Sequence, residues 1–244
     1  GAEAIAGMLE KVLSGELASV SVEAPLVRAG GGASLMSLAV TARNASLSGT
    51  EGLSGIPSSV GGAVRINAGA YGAEIFDLLE EVTLVSRSGA LRVVPAASIP
   101  HGYRWSALCD GDDVVASATL RLRPATREEV DARLAEVRER RKKALPTEPN
   151  AGSVFKNPPG DHAGRLLEAC GLKGERVGGA VVSERHANVI VNAGGATAAD
   201  VRALMARMRD AVRDRFGVDL VPEVEDLGRF VTNRNAAASV ESGR

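Results

Sequence analysis

The chain has 244 residues, 45% of them apolar, 3% aromatic and 24% charged, with a formal net charge of −1. This length suffices for one large or two modest domains, and the nearly balanced charge argues against a nucleic-acid-binding protein. The two cysteines, Cys109 and Cys170, and the three histidines show no metal-ligand spacing, so no metal site is expected. No signal peptide and no membrane-spanning apolar run is recognisable, which predicts a cytoplasmic protein that does not bind membranes.

The first part of the chain predicts strands and one amphipathic helix. Strands are expected around residues 19–22 and 26–29, and Ser34 can cap the helix that follows. The inward face of this helix comprises Leu35, Leu38, Ala39 and Ala42. Further on, "EEVTLVSRSGALRVVP" predicts a hairpin that turns at Ser88–Gly89, and "VVASATLRLRP" alternates as another strand that ends at Pro124.

A long charged helix separates the two halves of the sequence. Thr126 followed by Glu129 is the signature of a capping box, and helical character continues through "RERRKKA". The positive charge of this run suits the negative end of a helix dipole, and a phosphate-binding role is the alternative. We therefore predict a connecting helix over residues 126–145, between a first domain over 1–125 and a second over 146–228.

The second half predicts alternating helices and strands. Asp161 can cap a short helix that Gly171 closes, and Thr197 with Asp200 can open a longer one. The apolar faces of these helices contain Ala163, Leu166, Leu167 and Cys170 in the first, and Val201, Leu204, Met205, Met208, Val212 and Phe216 in the second. "GGAVVSERHANVIVN" predicts one or two strands and "VDLVPEVEDLG" a last strand, while the polar tail over 229–244 is expected to be disordered.

The glycine-rich stretch "GIPSSVGGAVRINAGAYG", from Gly55 to Gly72, is the first candidate for ligand binding. Its small side chains leave backbone N–H groups accessible to an anion or to a large planar ligand. A set of structural turns explains the pattern equally well, and the stretch matches neither a dinucleotide-binding fingerprint nor a phosphate-binding loop of the nucleotide hydrolases.

Ser153, in "AGSVFKNP", is the second candidate. Its surroundings do not match the G-x-S-x-G pattern, so a hydrolase nucleophile is not indicated. A serine can instead act as a general acid when neighbouring groups stabilise its alkoxide, and Lys156 and Asn157 could do so. In "GYRWS", Arg104 could bind a carboxylate through two parallel hydrogen bonds. Taken alone, however, this arginine and Glu223 in "PEVEDLG" would each be interpreted as an ordinary surface charge.

The order of these stretches is far more specific than any one of them. "GIPSSVGGAVRINAGAYG", "GYRWS", "NAGSVFKNPPGDHAGRLLEACGLKG", "VSERHANVIVN" and "PEVEDLG" follow one another between about Val27 and Gly228. In this combination the chain resembles the UDP-N-acetylenolpyruvoylglucosamine reductases, the MurB-type flavoenzymes of bacterial cell-wall synthesis. The short passage from "GYRWS" to "AGSVFKNP" resembles the shorter type of this family, which lacks an extra tyrosine-bearing loop.

The resemblance implies an α+β fold, with an FAD-binding domain of the vanillyl-alcohol-oxidase type followed by a small α/β substrate-binding domain. It implies FAD and NADPH as cofactors. The substrate would be a small molecule, UDP-N-acetylglucosamine enolpyruvate, whose enolpyruvyl group is reduced to give UDP-N-acetylmuramate for peptidoglycan. We expect a monomer that binds no nucleic acid.

The same resemblance implies roles for individual residues. Ser153 would donate the proton to the enol intermediate, while Arg104 and Glu223 would flank the substrate carboxylate and stabilise the developing charge. The residues that would line the substrate site are Tyr103, Lys156 and Asn157. The residues that would lie along the flavin are Gly55, Ser59, Val60, Gly61, Gly62, Asn67, Gly69 and Gly72.

Departures from the family pattern lie on the flavin side. The glycine-serine-asparagine loop that wraps the FAD pyrophosphate in the family is not recognisable, so we expect an incomplete FAD-binding domain, from a fragment or a shortened relative. Ser58 stands where glycine is usual, and a positive φ there would cost about 1 kcal/mol or more. Arg65 stands where an apolar or aromatic side chain is expected. A flavin-dependent reductase is the main hypothesis; the alternative is a noncatalytic UDP-sugar-binding remnant that has lost FAD.

Overall fold

The computed structural model describes residues 15–225 of the chain. They form two compact units that divide between Ala144 and Leu145. The helix predicted to connect two domains belongs to the first unit, where it packs against other elements of that unit. The tail over 229–244 that was expected to be disordered lies outside the described residues.

The first unit combines helices with short and long strands. Its helices are α1 (Leu35–Asn44), α2 (Val60–Arg65) and α3 (Arg127–Ala144). Its strands are β1 (Val20–Glu23), β2 (Leu26–Gly30), β3 (Leu47–Ser48), β4 (Gly69–Ala70), β5 (Ala73–Glu74), β6 (Leu79–Val85), β7 (Leu91–Pro95), β8 (His101–Gly102), β9 (Trp105–Ser106), β10 (Val114–Arg121) and β11 (Arg123–Pro124).

An antiparallel sheet with the strand order β1-β2-β10-β6-β7 forms the centre of the first unit. On the central strand β10, Ala118 and Leu120 are buried, because side chains of a strand point alternately to its two faces. Val115 is also buried, and a bulge between Val115 and Ser117 interrupts the alternation there. The predicted hairpin is confirmed as β6–β7, and Gly89 in its turn adopts a φ of 82° that costs glycine little. The strand predicted to end at Pro124 ends at Arg121, and β11 pairs with β3 instead.

Both predicted helices of the first unit are confirmed, with their caps. The Ser34 hydroxyl accepts a hydrogen bond from the Ser37 amide at 2.9 Å, and the predicted inward face of α1 is buried. At the start of α3, the Glu129 amide donates to the Thr126 hydroxyl at 3.2 Å, and the Thr126 amide donates to the Glu129 carboxylate at 2.9 Å. An ion pair between Arg43 and Asp131 joins α1 to α3.

The second unit packs two helices on a smaller antiparallel sheet. Its helices are α4 (Ala163–Ala169) and α5 (Ala198–Phe216), and its strands are β12 (Asn150–Ser153), β13 (Arg176–Val177), β14 (Ala180–Val182) and β15 (Val189–Asn192). The strand order is β12-β15-β14-β13. The large buried side chains of its core include Phe155, Leu166, Leu167, Leu204, Met208 and Val212. Helix α5 begins with the predicted capping box of Thr197 and Asp200, which is confirmed.

Two predictions for the second unit are wrong. Asp161 does not cap α4: His162 occupies the N-cap position without a capping side-chain bond, and Asn157 Oδ1 accepts from the Ala163 amide at 3.0 Å. "VDLVPEVEDLG" forms no strand over its described residues, but one isolated bridge between Phe155 and Pro222. Pro222 has no N–H group to continue a ladder, which explains the short pairing.

Gly61 in α2 offers a test of the first unit's packing. A Cβ at this position would lie 2.9 Å from the carbonyl oxygen of Gly31 and 3.2 Å from that of Val115, both of which are backbone atoms. We expect Gly61→Ala to lower the free energy of unfolding by about 1–3 kcal/mol, as overpacking does. Urea unfolding monitored by circular dichroism measures this change.

The matched control is Gly111→Ala. Gly111 is exposed, has a φ of −109° that alanine adopts readily, and has no atom within 4 Å of its added Cβ. We expect this variant to unfold within about 0.5 kcal/mol of the unaltered protein. Equal stability of the two variants would contradict the close packing of α2.

Candidate active site

The segment that follows Ser153 is held on both sides by hydrogen bonds. On one side, the Val154 amide donates to the Asn188 carbonyl at 2.9 Å. On the other, the Glu223 amide donates to the Val154 carbonyl and the Lys156 amide donates to the Val221 carbonyl, each at 2.8 Å. Because Val154 is buried, its backbone groups need such partners. The pairing brings the backbone of Glu223 next to the end of β12, although some 70 residues separate them along the chain.

A bulge in the sheet re-aims Ser153 at the end of β12. The register of β12 against β15 passes from Asn150↔Val191 to Ser153↔Val189, which leaves two residues opposite one. Gly152 within the bulge has a φ of 81°, a conformation that glycine adopts at little cost. Ser153 consequently lines a cavity of about 390 Å³, whereas its neighbours Gly152 and Val154 line a different one.

The cavity beside Ser153 is polar. Its lining includes Asn157, His162, Arg165, Glu168, Arg185 and His186. The Arg165 guanidinium is paired with Asp161 and, together with a hydrogen bond from the His162 amide, lowers the pKa of that carboxyl to about 2. Polar and charged side chains of both signs thus line this cavity, as is usual where a few polar groups orient a bound ligand.

His186 is a structural histidine on one wall of this cavity. Its Nδ1 accepts a hydrogen bond from the Asn188 amide at 3.1 Å, so the neutral ring carries its proton on Nε2. A Cβ on Gly164 would lie 3.0 Å from the His186 ring, which explains the glycine in α4. Burial lowers the pKa of His186, the charge of Lys173 lowers it further, and Glu168 opposes both.

Arg104 lies in the first unit, on the turn between β8 and β9. Its Nη2 donates to the Gly69 carbonyl at 2.6 Å, and its guanidinium carbon lies 4.9 Å from the centre of the Tyr103 ring. Its φ of 55° is uncommon for a residue other than glycine. Such strain is concentrated at functional sites in proteins and is compatible with the predicted role of Arg104.

Asn67 joins the glycine-rich stretch to the hairpin that carries Arg104. The side chain is fully buried; its Nδ2 donates to Glu74 at 2.7 Å and to the Gly102 carbonyl at 3.0 Å, and its Oδ1 accepts from the Phe76 amide at 3.3 Å. These protein partners occupy the amide, so a contribution of Asn67 to cofactor binding would come from its backbone.

The other predicted flavin-side residues form the N-terminal part of α2 and the turns around it. The Ser59 hydroxyl accepts from the Gly62 amide at 3.2 Å, and the Val60 amide donates to Ala33 at 2.7 Å. The Gly61 amide donates to the Gly31 carbonyl, and the Gly69 carbonyl accepts from the Arg104 guanidinium. Gly72 has a φ of 79°. Their role in cofactor binding stays a prediction.

A cavity of about 430 Å³ runs along this glycine-rich stretch. Its lining includes Gly32, Ser34, Gly55, Ile56, Ser58 and Ser59. Because most of these side chains are small, a large ligand can approach the backbone closely, and the residues present fit a flavin nucleotide.

Both departures seen in the sequence of this stretch have structural explanations. Ser58 is not among the described residues with positive φ, so the expected strain does not arise, and its hydroxyl donates to the Ser59 carbonyl at 2.9 Å. The Arg65 side chain donates to the carbonyl oxygens of Cys109 and Gly111 at 2.9 and 3.2 Å. These bonds tie the segment around residues 109–111 to α2.

Two classes of feature are missing from the part of the chain between residues 15 and 225. No group of three or more His, Cys, Asp or Glu side chains there is arranged to hold a metal ion. No helix in the same range is both long and apolar enough to cross a membrane.

Two family models match the chain and define its class. Residues 8–94 match the model described as an FAD binding domain, and residues 144–227 match that of the C-terminal domain of UDP-N-acetylenolpyruvoylglucosamine reductase. The chain thus combines a flavin-nucleotide-binding domain with the second domain of a reductase.

Similar proteins identify the family. UDP-N-acetylenolpyruvoylglucosamine reductase 2 of Symbiobacterium thermophilum is 44% identical over 227 residues, which cover 93% of this chain and 73% of that protein. The reductase of Chloroherpeton thalassium is 45% identical and covers 89% of this chain and 72% of its own. The crystal structure of the reductase (MurB) from Thermus caldophilus, 41% identical, superimposes with a TM-score of 0.77 over 87% of this chain and 75% of that one.

The chain therefore belongs to the UDP-N-acetylenolpyruvoylglucosamine reductase family. This confirms the resemblance recognised in the sequence and the α+β fold class with an FAD-binding domain. Asn188 is one of the residues lining the cavity beside Ser153 that the sequence did not reveal, as are Arg165, Glu168 and Arg185. An asparagine before the apolar run "VIV" is the signal that could have drawn attention to a buried amide.

The lowered pKa of His186 has a consequence for stability. A histidine whose folded pKa lies below its unfolded pKa, ordinarily about 6.5, takes up its proton more readily in the unfolded state. We therefore expect stability to fall as the pH drops below about 6.5, until the pH has passed the folded pKa.

The variant His186→Gln tests this expectation, because glutamine removes the titrating group. Urea unfolding midpoints of the unaltered protein and of the variant would be compared at several pH values from neutral to acidic. We expect a weaker acid-induced loss of stability in the variant. Parallel losses in both proteins would show that His186 does not contribute.

Proposed function

We propose that the protein is an FAD-dependent oxidoreductase that uses NADPH to reduce the enolpyruvyl group of UDP-N-acetylglucosamine enolpyruvate. The product is UDP-N-acetylmuramate, a precursor of peptidoglycan. Membership of the reductase family over most of the chain supports this function. The observation that carries it is the segment after Ser153, whose hydrogen bonds join the end of β12 to the backbone of Glu223. We propose further that the protein acts as a monomer.

The reduction requires the protein to provide a positive charge and a proton donor. When bound, FAD supplies the hydride that it has received from NADPH. Arg104 binds the substrate carboxylate, because a guanidinium group can hold a carboxylate through two parallel hydrogen bonds. The same positive charge stabilises the negative charge that hydride addition leaves next to this carboxylate. Glu223 flanks the developing enol.

Ser153 completes the reduction by donating its hydroxyl proton to the carbon that carries the negative charge. A proton from solvent then restores the hydroxyl. Serine is a weak acid, so its alkoxide needs stabilisation, and the polar lining of the cavity beside it supports this role. Tyr103, Lys156 and Asn157 complete the proposed substrate site. The Asn157 Oδ1 that caps α4 ties the far end of the Ser153 loop to the helix.

The noncatalytic alternative, a UDP-sugar-binding remnant without FAD, is less well supported. The match of residues 8–94 to an FAD-binding domain favours the flavoenzyme. The cavity along the glycine-rich stretch, with its small lining residues, favours it too.

Ser153→Ala tests the proposed proton donor. We expect NADPH to reduce the bound flavin at an unchanged rate, while turnover of the enolpyruvyl substrate falls by about 10²–10⁴-fold, the usual contribution of a positioned general acid. Anaerobic stopped-flow spectroscopy at 450 nm would follow both steps. Ser98→Ala is the control, since the exposed Ser98 hydroxyl donates only to the Pro95 carbonyl at 2.8 Å, and its turnover should not change. Undiminished turnover in Ser153→Ala would refute the role.

Flavin retention separates the two functions. We expect the protein to remain yellow after incubation with excess FAD and desalting, because the glycine-rich stretch leaves its backbone accessible to the nucleotide. Absorbance between 350 and 500 nm measures the bound flavin. A protein that stays colourless would favour the noncatalytic alternative.

A further inference from the structure

Asn188 has an amide side chain that is only 3% exposed, within the core of the second unit. A buried amide is costly unless its donors and acceptor are paired. Here both ends pair with a single residue: the Phe155 amide donates to Asn188 Oδ1 at 3.0 Å, and Asn188 Nδ2 donates to the Phe155 carbonyl at 2.8 Å. The side chain thus replaces a neighbouring strand at the point where β12 ends.

The contacts of Asn188 continue to both sides of this pair. Its backbone carbonyl accepts from the Val154 amide at 2.9 Å, and its backbone amide donates to His186 Nδ1 at 3.1 Å. One residue therefore fixes the peptides on both sides of Val154 and the orientation of a ring that lines the cavity beside Ser153.

The segment that Asn188 fixes also holds Glu223. The opposite edge of residues 154–156 pairs with Val221 and Glu223 through their backbones. A shift of the Phe155 peptide would consequently move Ser153 on one side and the backbone of Glu223 on the other. Both residues are proposed to contact the substrate. The hydrogen bonds of the Asn188 side chain therefore affect the placement of two proposed substrate-contacting residues.

We propose that Asn188 is a positioning residue for substrate reduction, whose side-chain amide locks the Phe155 peptide and thereby sets the places of Ser153 and Glu223. This inference rests on the proposed function. Asn188 touches no reacting atom in it and acts through the segment that it holds.

Asn188→Leu is the main variant, because leucine has a similar branched shape but neither donates nor accepts hydrogen bonds. We expect the flavin-loaded protein to be reduced by NADPH within about twofold of the normal rate. Reoxidation of the reduced flavin by the enolpyruvyl UDP-sugar should slow by about 10²-fold, since displacement of a reacting group by 1 Å can have this effect.

Amide hydrogen exchange gives a readout that does not depend on activity. In Asn188→Leu the Phe155 amide loses its acceptor and should exchange faster. The Val154 amide donates to the backbone carbonyl of residue 188, which the substitution retains, and should stay protected. Asn188→Ala also removes both the acceptor for the Phe155 amide and the donor to the Phe155 carbonyl, so the same exchange readout applies, and it serves if the leucine variant does not fold.

Asn192→Ala is the matched control. This asparagine is the last residue of β15, the strand that directly follows Asn188, and its Oδ1 accepts from the Gly194 and Ala196 amides at 3.0 and 3.1 Å, away from the Ser153 loop. Both half-reactions should remain normal in this variant.

The outcomes separate the inference from the function on which it rests. A slowed second half-reaction together with faster exchange at Phe155 supports the inference. An equal decline of both half-reactions, or unchanged exchange at Phe155, overturns it. If the unaltered protein reduces no enolpyruvyl substrate, the proposed function fails, and exchange at Phe155 alone then decides whether Asn188 holds this segment.

Discussion

The buried backbone of Val154 and Phe155 is the constraint on which the candidate site depends. Regular pairing of β12 ends at Ser153, yet the chain stays inside the protein, so its amide and carbonyl groups need other partners. On one side Asn188 supplies them, through its side-chain amide to Phe155 and its backbone carbonyl to Val154, and on the other side the backbone of residues 221–223 supplies them. A serine at the edge of a segment held in this way has little freedom to move, as general acid catalysis requires.

The first unit holds Arg104 by comparable means. A fully buried asparagine, Asn67, ties the glycine-rich stretch to the β8–β9 hairpin, and Arg104 itself donates to the Gly69 carbonyl. In both units a buried asparagine side chain holds a short segment that carries a proposed functional residue. Irregular segments can take shapes that helices and strands exclude, and buried hydrogen bonds supply the rigidity that such segments lack by themselves.

Features with local causes were predictable from the sequence. Ser34 and Thr197 cap helices through residues three positions away, and Gly89 allows its own turn, so short patterns suffice to predict them. The cap of α4 could not be predicted in this way. The Asp161 amide donates to the Pro158 carbonyl at 3.2 Å, and the resulting turn brings Asn157 to the helix end in place of the adjacent Asp161. The role of Asn188 depends on a partner 33 residues away, which no local pattern indicates.

The central claim is that the Ser153 hydroxyl and the Glu223 carboxylate act on the same ligand because one buried segment holds both. A crystal structure of the protein with FAD and the enolpyruvyl UDP-sugar tests this claim most directly. The account requires both side chains to contact the enolpyruvyl group, with the Asn188 amide still paired to Phe155. A structure in which either side chain points away from the bound substrate would contradict it.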